Sequence, residues 1–132
     1  MISFFVAGVP RPTQTGSVIR PGGGKRAFPL YRNTGWASYC RLVASQQKVE
    51  PLTGPLSVCL SFYLPRPKKP KCERPITRPD LDNLEKKLLD AWNGILWNDD
   101  AQVVSKRVEK HYATNSTPPG LSVLVWQIGG GG

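Results

Sequence analysis

The sequence predicts a small α+β (mixed α/β) fold, a single mixed β-sheet with two helices packed on one face. Three observations predict it. Leu56 to Leu64 alternates apolar and polar side chains along nine residues, the period of a half-buried strand. Two stretches, after Asn33 and after Asp82, carry apolar residues at helical spacing. Thirteen glycines and thirteen prolines interrupt these segments and confine each element to a short span. With 132 residues and an apolar fraction of 39%, the chain can bury one core. Residues 1–128 are therefore expected to form one domain, followed by a flexible glycine tail at 129–132.

In chain order, Ile2 to Ala7 reads as a first strand, ended by Gly8 and Pro10. From there to Arg32 the chain is rich in glycine and proline. It carries Arg11, Arg20, Lys25, Arg26 and Arg32 without one acid, and a loop of that length is commonly functional or disordered. Asn33 or Thr34 can cap a helix to about Gln47, with Trp36, Tyr39, Cys40 and Val43 on its apolar stripe. The Leu56–Leu64 strand follows, with Leu56, Val58, Leu60, Phe62 and Leu64 on one face. Pro65 to Pro79 then holds five prolines, six basic residues and one acid, Glu73. Proline lacks the ladder donor and lysine resists burial, so this is expected to be a stiff, exposed, positive loop.

Asp82 can cap a second helix, with Glu85 at the reciprocal capping-box position. Leu84, Leu88, Ala91 and Trp92 would form its buried stripe, and Gly94 suits the left-handed position after its end. Beyond a turn at Asn98-Asp99-Asp100, Ala101 to Tyr112 reads as a strand with one wet face. Pro118-Pro119-Gly120 turns the chain into a last strand, Leu121 to Ile128, on which Leu124, Trp126 and Ile128 share a face. Trp97, beside the acidic turn, is placed either in the core or against a ligand.

Composition narrows the class of partner. Eighteen Lys and Arg against nine Asp and Glu give a formal charge of +9, which favours polyanions through counterion release. The three cysteines are widely spaced, His111 is the lone histidine, and no Cys-x-x-Cys pair occurs, so a structural zinc site is not expected. The odd cysteine count and the short apolar N-terminal run predict reduced thiols in the cytoplasm, with no membrane span. Gly22-Gly23-Gly24-Lys25 lacks the spacing and hydroxyl of a P-loop, so no nucleotide or other small-molecule cofactor is expected.

Four of the nine acids, Asp80, Asp82, Asp99 and Asp100, lie in or beside the second helix. Taken singly, Asp82 is a helix cap and Asp99-Asp100 a turn. Taken together they are negative charges that repel one another unless a cation sits among them. Asp80 and Asp82, two apart in an extended stretch, point the same way. Asp100 can join them if the following strand starts beneath the N-terminal half of the helix. Hard oxygen ligands select Mg²⁺, with Mn²⁺ as a substitute, and such an ion can activate water against a phosphodiester. Lys86, four residues after Asp82 on the same helical face, is either a surface ion-pair partner or a charge aimed at the scissile phosphate. Asp90 shares that face, whereas Lys87 points away from it. The basic side chains placed to meet DNA are Arg11, Arg66, Lys68, Lys69, Lys71, Arg74 and Arg78.

Asp80-Leu81-Asp82-Asn83-Leu84-Glu85-Lys86 resembles the central motif of the RusA family of Holliday-junction resolvases, and Asn98-Asp99-Asp100-Ala101-Gln102-Val103 resembles its second motif. The Val9-Pro10-Arg11-Pro12 opening is also similar. This resemblance implies a RusA-like fold and a homodimeric, Mg²⁺-dependent crossover junction endonuclease that nicks opposed strands of branched, four-way DNA. It assigns metal-binding carboxylates to Asp80, Asp82 and Asp100 and a catalytic lysine to Lys86, with Asp99 the lesser member of its pair. Pro79 stands where some relatives have a basic residue, with Arg78 one position earlier. The competing reading is a non-catalytic, basic nucleic-acid-binding module. It accounts for the charge and the exposed loops, but gives the gathered aspartates no task.

Overall fold

The computed structural model describes residues 1–12 and 35–129. The expected caps Asn33 and Thr34, most of the glycine-rich loop and residues 130–132 lie outside them. Four strands form one sheet in the order β1-β4-β2-β3, where β1 is Ile2–Ala7, β2 Leu56–Leu64, β3 Val103–Tyr112 and β4 Gly120–Gln127. Strand β4 runs antiparallel to both β1 and β2, while β3 lies parallel to β2 at the edge. The sheet is mixed, as the sequence predicts.

The helices are α1 (Gly35–Ser45), α2 (Leu81–Glu85) and α3 (Leu88–Ala91). One sheet face carries Phe4 and Val6, the even-numbered apolar residues of β2, and Leu121, Val123 and Val125 of β4. These join Trp36 and Cys40 of α1 and Leu84, Leu88 and Trp92 of the second helical region in a single core. The helical layer therefore sits on one face of the sheet. Trp92 packs its ring edge on Phe4, centroids 6.2 Å apart, and its Nε1 donates to the Cys40 carbonyl. Arg41 Nη1 donates to the carbonyls of Ala91 and Asn93, which fastens α1 to the end of α3. Burial pushes the Cys40 thiol far above the usual thiol range, and all three cysteines are free. No helix among the described residues is long and apolar enough to cross a membrane.

One expectation is corrected. The stretch from Asp82 to Gly94 is not one helix, because Lys86 (ψ 131°) and Lys87 (φ 69°) form a turn between α2 and α3. Neither glycine nor proline marks this break. Tertiary contacts override helix propensity here: Leu84 and Leu88 are both fully buried, and Glu85 is drawn to Lys106 of β3. On β4, Leu124, Trp126 and Ile128 fall in phase as expected, and it is the opposite face, Leu121, Val123 and Val125, that enters the core. That strand lies between two others and is apolar on both faces, so register decides the matter. Val125 pairs with Ile2 and Val58, both buried. Of the two places open to Trp97 the structure takes the core, with its Nε1 donating to Asn93 Oδ1 at 2.9 Å.

Gly120 begins β4 between Ala7 and Tyr63. A Cβ there would stand 2.3 Å from the Phe5 ring and 2.6 Å from the Val6 carbonyl oxygen. The missing side chain lets Phe5 lie across the strand and reach toward Tyr63, whose ring in turn stacks on His111.

Candidate active site

The acidic motif occupies the gap between the sheet edge and the helical layer. Asp80 is the N-cap of α2 by backbone geometry (φ −71°, ψ 149°) and makes no side-chain cap bond. Neither it nor Asp82 spends its carboxylate on the helix, so the expected capping box at Asp82 and Glu85 is absent. The box occurs instead one element later. Asp99 Oδ1 accepts from the Ala101 amide at 2.9 Å, and Gln102 Oε1 accepts from the amides of Asn98 and Asp99, each at 3.0 Å. Gln102 Nε2 also donates to the carbonyls of Leu52 and Gly54. This closed network fixes the short turn Asp100–Gln102 that opens β3, and it consumes Asp99. Asp100 is left turned toward α2.

The result is an open cleft of about 280 Å³ lined by Asp82, Glu85, Lys86, Lys87, Leu89, Asp90, Asp100 and Lys106. Asp82 and Asp100, eighteen positions apart in the chain, thus meet at one place. Lys86 lies beside them, although the helix expected to align it ends at Glu85. Lys87 also lines the cleft, contrary to its expected outward direction; the left-handed turn brings both lysines to the same side. Asp80 is exposed and is not among the lining residues.

Partners within the cleft are unequally shared. Glu85 is paired with Lys106, and Asp90 Oδ1 accepts from Asn93 Nδ2 at 3.3 Å. Asp82 and Asp100 make no side-chain hydrogen bond or ion pair among the described residues. No group of three or more His, Cys, Asp or Glu side chains converges there into a ready-made metal cage. The donor chemistry nonetheless suits Mg²⁺: two uncommitted carboxylates in an open cleft with no Cys or His in its walls. Mg²⁺ retains several waters and needs only one or two protein carboxylates.

Sequence reasoning missed Lys106, Lys110 and Gln102. Lys110 Nζ donates to the carbonyls of Thr77 and Pro79, both at 2.9 Å, just before Asp80. The signals were present: Asp99-x-x-Gln102 is a capping-box pattern, and Lys106 and Lys110 flank Val108 on the strand face that should be apolar. Leading into Asp80, the segment 65–79 contains neither helix nor strand. Arg66, Lys68, Lys69, Lys71, Arg74 and Arg78 are all exposed on it, and Arg11 is exposed as well. His111 takes no part in the cleft. It pairs with Glu109, whose carboxyl is held below its usual range by hydrogen bonds from Arg107 and His111.

Residues 7–125 match the family model described as endodeoxyribonuclease RusA. The chain belongs to the RusA endodeoxyribonuclease family. Its RusA-type region holds every cleft residue named above, and membership places the protein among DNA-cutting hydrolases. It is also similar to a relative in Bacillus subtilis (strain 168), an uncharacterized protein called YqaN. The two are 39% identical over 103 residues, covering 68% of this chain and 70% of the relative.

Proposed function

We propose that this RusA-family protein is a Mg²⁺-dependent, structure-selective endonuclease that resolves four-way DNA junctions by paired nicks, acting as a homodimer. One observation carries the reading: Asp82, Asp100 and Lys86 share a cleft, and the two aspartates have no partner of their own among the described residues. Carboxylates gathered where phosphates must arrive oppose DNA binding unless a cation lies between them. Asp82 and Asp100 would hold that ion, whereas Asp80, expected as a third carboxylate, lies outside the cleft they line. A divalent cation supplies a polarised phosphoryl oxygen and an activated water there.

The chain's own groups do the rest. Lys86, compact and positively charged, offsets the negative charge that builds on the phosphoryl oxygens as water adds and the P–O bond breaks. Lys106 keeps Glu85 neutralised, which leaves Asp82 and Asp100 as the unpaired acids. The exposed lysines and arginines of segment 65–79 contact phosphates and position the duplex arms. A two-fold assembly matches a two-fold junction, so that two identical clefts meet symmetry-related strands.

The test uses a labelled synthetic four-way junction and a matched linear duplex, each with and without Mg²⁺. Cleavage of the junction alone, and only with Mg²⁺, is expected. Asp82→Asn and Asp100→Asn should each abolish cutting while junction binding stays intact or tightens, since one repulsive charge is gone. Lys86→Ala should lower kcat by about 10²–10³. Binding without cleavage under every condition would leave a nucleic-acid-holding module in place of an enzyme.

A further inference from the structure

Strand β3 is an edge strand, yet its helix-facing side reads Lys106, Val108, Lys110. The register places these beside Val58, Leu60 and Phe62, all fully buried on the neighbouring strand. A strand face in phase with the core ordinarily carries apolar side chains. The two lysines have a different use. Lys106 Nζ meets the Glu85 carboxylate, and Lys110 Nζ donates to the backbone carbonyls of Thr77 and Pro79 at 2.9 Å each. The two lysines are four strand positions apart, which sets their backbone attachment points about 13 Å from each other. They therefore grip the segment from Thr77 to Lys86 near both of its ends. Between the grips lie Asp80 and Asp82, and Lys86 follows the second grip directly.

Local structure alone does not hold this segment. Helix α2 has five residues and no side-chain cap, and it ends at a lysine pair whose second member is left-handed. A single turn of helix is unstable in isolation. Leu84 anchors it in the core, and its polar ties are to β3, the strand that also continues directly from Asp100 through the turn Asp100–Gln102. One strand thus carries one cleft-lining carboxylate covalently and braces the segment bearing the other through two ammonium contacts.

We infer that Lys106 and Lys110 are positioning residues that set the distance between Asp82 and Asp100. The inference rests on the proposed reading that those two aspartates share a divalent cation. The alternative role, direct contact with DNA phosphate, fits Lys110 poorly because two carbonyls already occupy its ammonium and the residue is partly buried. Lys106 is more exposed, but its partner Glu85 is 15% exposed by side chain, a mostly enclosed carboxylate that needs a cation near it.

The test measures Mn²⁺ affinity by calorimetry on the full chain without DNA. It is paired with junction binding in chelator, the Mg²⁺ dependence of cleavage, and the thermal midpoint. Lys106→Met and Lys110→Met keep the aliphatic stem and remove the charge. Each is expected to weaken Mn²⁺ binding by about 10- to 100-fold, the usual cost of losing an outer-shell support. The Mg²⁺ concentration needed for half-maximal cleavage should rise by a similar factor, with kcat largely recovered at saturating metal. Junction binding in chelator should stay within about twofold, and Lys106→Arg should restore the metal affinity that Lys106→Met removes.

Wild-type Mn²⁺ affinity in both folded methionine variants, together with weaker junction binding and a salt slope reduced by about 0.9, would make these lysines phosphate contacts and overturn the proposal. If Lys110→Met does not fold, the Lys106 pair of variants decides by the same readouts. Mn²⁺ binding in the wild type that Asp82→Asn leaves unchanged would instead remove the shared cation itself. Binding abolished in Asp82→Asn but kept in both methionine variants would overturn the positioning role alone.

Discussion

Lys87 holds a left-handed backbone conformation between α2 and α3, with φ 69° and ψ −1°. With Lys86 at φ −53° and ψ 131°, the pair has the dihedrals of a type II turn, whose third position ordinarily belongs to glycine. A lysine there costs about 1 kcal/mol, because its Cβ crowds the following carbonyl. That cost is maintained by the packing on either side, where Leu84 and Leu88 are both fully buried. Lys87→Gly should therefore be more stable than Lys87→Ala by about 1 kcal/mol, since both variants lose the charge and only one relieves the crowding. Urea unfolding of the two variants checks this. Equal midpoints would show that the left-handed geometry carries no strain. The turn also puts Lys86 and Lys87 on the cleft, so the strained residue adjoins the proposed catalytic lysine.

At the scale of the element, legibility followed period and polarity. Strand β2 was readable because its polar and apolar residues alternate without a break, and the Gly94 stop was readable because only glycine takes φ 81° freely. The burial side of β4 was not, since Leu124 and Trp126 are as apolar as Val123 and Val125 and only pairing with β1 and β2 separates them. Nor was the break after Glu85, where an acid drawn to Lys106 across the layer outweighs good local helix formers. In the site, Asp80, Asp82, Asp100 and Lys86 were read as a group because gathered acids are conspicuous in a basic chain, and all but Asp80 line the cleft. Lys110 was half legible: its place on a face that should be apolar marks it out, but its partners, the Thr77 and Pro79 carbonyls, carry no sequence signal. The loop 65–79 was legible in full as an exposed basic segment, and it makes a separate prediction. Replacing Lys68, Lys69 and Lys71 together with Gln should weaken junction binding and lower the salt-dependence slope by up to about 3, roughly one unit for each phosphate no longer neutralised. A fluorescence titration across salt concentrations measures the slope, and an unchanged value would keep this loop off the DNA.

Among the described residues, basic side chains line the exposed segment 65–79, while four of the nine acids share one cleft with three lysines. Folding places Asp82 and Asp100 on the walls of one cleft without a partner for either among the described residues. The unfolded chain, with these residues eighteen positions apart, has no comparable site. A divalent cation should therefore bind the native state selectively and stabilise it by mass action. At ten times its Kd the gain is about 1.4 kcal/mol, enough to raise Tm by several degrees in a domain of this size. Chelator should reverse the shift. Non-specific ion effects on a basic protein would act on every variant alike, so the comparison that decides is internal. Scanning calorimetry at matched ionic strength should show a Mg²⁺-dependent rise for the wild type and little or none for Asp82→Asn or Asp100→Asn. A Mg²⁺ response identical in all three proteins would mean that the cleft does not select the ion, and the two aspartates would then need another explanation for standing together unpaired.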